Sequence, residues 1–127
     1  MSKNIEGISA LTLAWVGDAV YELHVRTRLL SKSLKANTLS KMAVKEVNHV
    51  AQSEHLAAIE DILTEQEKAI VNRGRNTHGS VPKNAKVQNY RRATGFEALL
   101  GYLYLKEEHE RLDAILQEID AIKETQK

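Results

Sequence analysis

LTLAWVGDAVYEL, residues Leu11–Leu23, is the stretch on which the reading of this chain turns. Leu11, Ala14, Trp15, Val16, Ala19, Val20 and Leu23 leave almost no polar face at a helical period, which predicts a helix buried on most sides. Asp18 is the exception. A carboxylate in that setting is expected to be paired, metal-bound or on the rim of a cleft. ATGFEALLGYLYL, Ala93–Leu105, repeats the pattern, with Glu97 as its only ionisable group apart from two tyrosines. Two apolar helices with one carboxylate each suggest that the carboxylates meet; the plainer alternatives are that each faces water at a helix edge or joins an unrelated buried ion pair. If they converge with no cation between them, like charges raise one pKa and cost stability, so a divalent ion is the natural third party. Ligands that are all oxygen point to magnesium or manganese rather than zinc.

Outward from these two helices, composition supports the same architecture. The 127 residues suit one domain, and one proline, six glycines and 43% hydrophobic residues favour an all-α globule over a sheet protein. Cysteine is absent, so there are no disulfides and no thiolate metal sites. MSKNIEG at the N-terminus lacks the basic-then-apolar pattern of a signal peptide, and no apolar run reaches the roughly 18 residues of a membrane span. The expectation is a soluble, cytoplasmic protein without a membrane partner.

Net charge is only +1, but the charges are unevenly placed. No acid lies between Glu22 and Glu46, where there are six bases, or between Glu67 and Glu97, where there are seven. Acids collect instead around Glu54 to Glu67 and Glu107 to Glu124. Such asymmetry is an electrostatic footprint for a polyanion.

In chain order, the first helix is expected over Ile8 to Leu30, with Glu22 one turn beyond Asp18, and a basic connector over Ser31 to Asn37. Thr38 or Ser40 is placed to cap a second helix running to His55, Leu56 to Leu63 suggest a short third, and Thr64 with Glu67 forms a capping box for a fourth ending near Asn72. RGRNTHGSVPKNAKVQN, Arg73 to Asn89, loses the apolar period and reads as a long, basic, amide-rich surface loop leading into the Glu97 helix. Glu107 to Lys127 reads as a closing amphipathic helix. The five histidines lack the i, i+4 pairing of a zinc helix and are read as surface or local hydrogen-bonding groups. Trp15 and Phe96 are read as core, and aromatics at 5% make a base-stacking face improbable.

At VGDAVYEL and TGFEALLGYLYL the chain resembles the catalytic domain of the ribonuclease III family, and RGRN at Arg73 to Asn76 with PKNAKVQNYR at Pro82 to Arg91 is similar to its short Mini-III branch. The resemblance runs over essentially the whole chain. It implies an all-helical homodimer, one ribonuclease III-like catalytic domain over 1–127 without a double-stranded-RNA-binding domain, and magnesium-dependent cleavage of double-stranded RNA, with manganese able to substitute, leaving a 5′-phosphate and a 3′-hydroxyl. Asp18 falls on the family's signature aspartate and Glu97 on its essential glutamate, as catalytic residues and metal ligands. Full-length members carry a glutamate four residues before that aspartate and an aspartate three before that glutamate; Ala14 and Thr94 stand there, as in the short branch, so the number of metal ions stays open. Kinship with that branch also suggests the precursor of 23S ribosomal RNA as substrate.

For RNA contact the candidates are Arg73, Arg75, Asn76, Lys83, Asn84, Arg91 and Arg92, with arginine suited to phosphate forks and asparagine to hydroxyl or base edges. Glu22 either joins the metal ligands or pairs with a nearby arginine, and the second is the expected role. Trp15 and Val16 are the expected dimer seam. Two other classes compete: an RNA-binding or ribosome-associated protein that kept the fold without catalysis, and a purely structural helical dimer.

Overall fold

Ser9 begins the first long helix, its Oγ accepting from the Thr12 backbone N–H at 3.1 Å, and α1 then runs over Ala10–Leu29. The computed structural model describes residues 2–77 and 86–125. After α1 come α2 (Ala36–Val47), α3 (His49–Ile59), α4 (Glu65–Arg75), α5 (Val87–Leu105) and α6 (His109–Thr125), with short 3-10 turns at Ser2–Gly7 and Glu60–Ile62. No strand occurs among the described residues, so the fold is all-α as expected.

Helix α5 is the axis of the fold. It packs chiefly against α1, α4 and α3, and Ala98, Leu99, Leu100 and Leu103 meet Leu13, Tyr21 and Val25 of α1, Leu56 and Ile59 of α3, and Ile115 and Ile119 of α6 in one core. Burial of this apolar surface is the main source of stability. Glycines set how closely the backbones approach. A Cβ on Gly17 would stand 1.7 Å from the Glu97 carbonyl oxygen, and one on Gly101 would stand 1.9 Å from that of Leu13. On the other side of α5, Gly74 and Gly95 let α4 come close as well, though less so: a Cβ on Gly95 would lie 2.7 Å from the Val71 carbonyl oxygen.

Two expectations about α1 and α2 are corrected. Helix α1 is buried on one face only: Ala10, Leu13, Ala14, Gly17, Tyr21, Val25 and Leu29 turn inward, whereas Leu11, Leu23 and Trp15, 76% exposed, form an apolar strip on the outside. Its apolar period runs around the whole helix because its outer face is apolar as well. The helix expected to continue to His55 breaks at Asn48, whose Oδ1 accepts from the Ala51 N–H at 2.9 Å while its Nδ2 donates to the Val44 carbonyl at 2.8 Å. One amide thus ends α2 and starts α3. Neither Thr38 nor Ser40 is the cap of α2, which falls on Lys35.

Polar contacts tie the outer helices down. The Thr64–Glu67 capping box forms as expected, and α4 runs past Asn72 to Arg75. Glu67 also accepts a two-pronged contact from Arg111 of α6, with both N···O distances at 2.8 Å. Between α1, α2 and α6, Glu46 accepts from Arg28 and Lys123, and Asp120 accepts from His24 at 2.9 Å. Burial pushes Glu46 up, but the bonds from Lys123 and Arg28 outweigh it and hold the carboxylate below its usual range.

The glycine contacts predict sharply different tolerances. Gly17→Ala and Gly101→Ala should each destabilise the fold by about 3 kcal/mol or more, because the carbonyl each methyl meets belongs to a helix backbone. Gly7→Ala, where a Cβ meets nothing within 4 Å, should stay within about 0.5 kcal/mol of wild type in the same urea titration.

Candidate active site

The Gly17 contact seats α1 directly on the backbone of Glu97, and Asp18 is the next residue along. The two acids therefore share a cleft of about 250 Å³, lined also by Leu11, Ala14, Trp15, Val47, His49, Tyr90 and Thr94. Asp18 stands exposed at its rim and Glu97 is half-buried. Burial, followed by Asp18 within hydrogen-bond reach and its negative charge, raises Glu97 from its ordinary 4.5 to about 8; Gln52 opposes the rise, and Glu22 adds to it. Near neutral pH the isolated pair thus holds a proton that a cation would displace.

Glu22 makes the expected ion pair, accepting from Arg26 Nε at 3.0 Å one turn along α1. Neither position that distinguishes this chain from full-length ribonuclease III enzymes supplies an acid. Ala14 is buried in the α1–α5 contact, and Thr94 donates its hydroxyl to the Tyr90 carbonyl at 3.0 Å. Among the described residues no group of three or more histidine, cysteine or acidic side chains clusters as a ready-made metal cage.

Three residues of this site were not singled out in the sequence. Gln52 is fully buried and directs Nε2 to Glu97 Oε2 at 3.4 Å. Its signal was available: with Leu56 and Ile59 it lies on the apolar stripe of α3, where an amide has no business unless something polar faces it. His49 and Tyr90 form the other wall, their rings in edge-to-face contact with centroids 4.8 Å apart. His49 had been grouped with the other histidines, and only the break at Asn48 turns it toward the cleft. Of the others, His24 pairs with Asp120, and His55 is buried against Tyr21 and Phe96. Burial, then the Lys123 charge, lowers His55 to about 4, so it is neutral at physiological pH. Phe96 is core as expected; Trp15 is not.

Among the described residues, the RNA-contact candidates Arg73 and Arg75 border different hollows. Arg73 donates to the Ile8 carbonyl at 3.3 Å, on the side of α4 that faces the N-terminus. Arg75 lies over Gly95 and borders a shallow hollow with Glu60 and Asp61, and Arg92 pairs with Glu60 at 3.2 Å. Asn76 caps the end of α4, and Arg91 is exposed near the start of α5. Lys83 and Asn84 lie outside the described residues. A window free of acids in sequence is not free of them in space, because the turn at Glu60–Ile62 folds back against α5.

Comparison with known proteins places this geometry in a family. Residues 11–108 match the ribonuclease III domain. Over 117 residues the chain is 50% identical to a Mini-ribonuclease 3 of Thermoanaerobacter sp., covering 91% of this chain and 82% of that protein. It is 43% identical to the Mini-ribonuclease 3 of Streptococcus pneumoniae, covering 86% and 88%. The X-ray structure of a protein from Fusobacterium nucleatum superposes with a TM-score of 0.85 at 32% identity, covering 98% of this chain and 99% of that one. The domain match over most of the chain, with a relative 50% identical over 91% of it and an all-α structure that superposes over nearly its full length, makes this chain a member of the ribonuclease III family.

Proposed function

We propose that the chain is a divalent-metal-dependent endoribonuclease that cuts double-stranded RNA, with Asp18 and Glu97 as cation ligands. The observation that carries this reading is the convergence of those two acids, from two closely packed helices, on one open cleft. Their chemistry suits the cation. Two carboxylates in a chain without cysteine fit magnesium or manganese, which take one or two protein carboxylates and fill the rest of their coordination from phosphate and water. A cation held by Asp18 and Glu97 would supply an activated water and charge neutralisation at the reacting phosphate.

The protein's own part is positioning. Glu97 holds its carboxylate on the half-buried inner side of the cleft, backed by α3. Asp18 holds the outer side, toward the substrate. His49 and Tyr90 border the path along which a ribose-phosphate backbone would enter, with ring N–H and phenol hydroxyl suited to phosphate or 2′-hydroxyl contact. Arg91 is exposed on the same α5 as Glu97 and suits a neighbouring phosphate. Arg73, Arg75, Asn76, Lys83, Asn84 and Arg92 remain proposed RNA contacts, with Arg92 exchanging Glu60 for phosphate.

We infer that the active form is a homodimer. The outer face of α1, with Trp15, Val16, Ala19, Val20 and Leu23, and Tyr104 of α5 line an apolar hollow of about 400 Å³ at the surface. A two-fold copy covering it brings two acid clefts to one duplex, one for each strand. The precursor of 23S ribosomal RNA is the proposed substrate, on kinship with the Mini-ribonuclease 3 relatives.

Wild-type protein should cut an end-labelled RNA duplex with magnesium and leave it intact with chelator. Asp18→Asn should lose at least about 100-fold in rate while its gel-shift affinity in chelator stays near that of wild type. Duplex binding without cutting under every condition would favour the non-catalytic RNA-binding alternative.

The raised Glu97 pKa predicts the pH dependence. A carboxyl whose folded pKa exceeds its unfolded one stabilises the metal-free fold below about 4.5, and that contribution is lost as pH rises through about 8. Metal-free wild type should therefore lose more stability between pH 5 and 8.5 than Glu97→Gln does in thermal denaturation. Over the same range, calorimetry should show manganese binding to wild type tighten, with proton release that fades above pH 8. For the dimer, Trp15→Arg should halve the mass seen by light scattering while leaving the helical circular dichroism unchanged.

A further inference from the structure

Gln52 presents an anomaly that packing does not explain. It is fully buried in α3, among residues that fill the core, and its Oε1 has no protein hydrogen-bond partner. A buried amide with half of its polar capacity unmet costs free energy that leucine or methionine at this position would avoid. Its Nε2 reaches Glu97 Oε2 at 3.4 Å, beside a carboxyl that also has Asp18 within hydrogen-bond reach.

The surroundings say what that contact does. Glu97 has Asp18 on one side, a like charge that pushes it away, and α3 on the other. Without a donor on the α3 side, the carboxylate could lower its energy only by keeping its proton or by swinging toward water. An amide N–H at that place favours the ionised carboxylate and fixes which oxygen turns inward, leaving the other for the cleft. The contact is 3.4 Å long, and a bond from this amide to an ionised carboxylate is shorter and stronger than one to a neutral acid, because it is charge-assisted. Gln52 rides on a helix whose start is set by the Asn48 cap, so the amide comes from a rigid element.

We propose that Gln52 is a positioning residue for the cation site: its buried amide holds the Glu97 carboxylate beside Asp18, in the orientation that a divalent ion requires. This rests on the reading of Asp18 and Glu97 as cation ligands. A side chain that orients a ligand typically changes metal affinity by 10–100-fold when it is lost.

The test titrates manganese into wild type, Gln52→Met and Gln52→Leu by isothermal calorimetry without RNA, alongside melting temperature and duplex affinity in chelator. Methionine nearly matches glutamine in length, and both replacements remove an unmet buried carbonyl, so the melting temperatures should hold or rise. Manganese affinity should fall at least tenfold in both variants, kcat for duplex cleavage should fall with it, and duplex affinity in chelator should match wild type. Manganese isotherms that superimpose on wild type would overturn the assignment. Loss of the fold in Gln52→Met would also overturn it, by making the amide a structural requirement. Wild type that neither binds manganese nor cuts duplex RNA would refute the nuclease reading itself, and this inference with it.

Discussion

Contact between the backbones of α1 and α5 at Gly17 and Gly101 is the constraint on which the rest of the molecule depends. Helices separated by ordinary side chains sit 8–10 Å apart; here no Cβ intervenes, and the Gly17 position lies against the Glu97 carbonyl itself. The acid pair follows from that contact. Asp18 comes one residue after the glycine, Glu97 is the residue whose backbone it touches, and their side chains meet in one cleft, Asp18 at the rim and Glu97 half-buried. The second close approach, Gly74 to Gly95, holds α5 from the other side and limits its freedom to slide along α1.

Much of this was legible in the sequence, and for identifiable reasons. Asp18 and Glu97 stand out because each interrupts an apolar helical period with a carboxylate, and the Thr64–Glu67 box stands out because capping is local chemistry. What was hidden depends on relations across the chain. Trp15 and Leu23 count as apolar wherever they point, so periodicity could not distinguish a core-facing residue from one on an unpartnered outer face. Arg92 looked free of acids because Glu60 is distant in sequence and close only after folding. His49 reached the cleft through a helix break that a single asparagine side chain makes on both sides at once.

That break gives α3 a larger part than its length suggests. Its first turn carries His49 to the cleft wall, its second carries Gln52 beneath Glu97, and its third carries Leu56 and Ile59 into the core. A continuous helix from Ala36 to Ile59 would carry these residues on along the line of α2. Separately, the Arg28, Glu46, Lys123 and Asp120 contacts fix α2 and α6 against α1. Buried ion pairs of this kind add little net stability against apolar replacements, but they penalise alternative packings strongly. Their effect is to hold the start of α3 in place, because α2 leads directly into it.

The exposed indole of Trp15 has a spectroscopic consequence. It is the only tryptophan in the chain, and its ring borders both the acid cleft and the apolar hollow on the outer face of α1. Its fluorescence is therefore free of background from any other indole and comes from the one place where both surfaces meet. A water-exposed indole emits to the red, and cover by apolar side chains moves the emission to the blue, whereas a paramagnetic ion in the neighbouring cleft quenches it without that change of colour. Events on the two sides of Asp18 are thus separable in an unlabelled protein, by wavelength on one side and by intensity on the other.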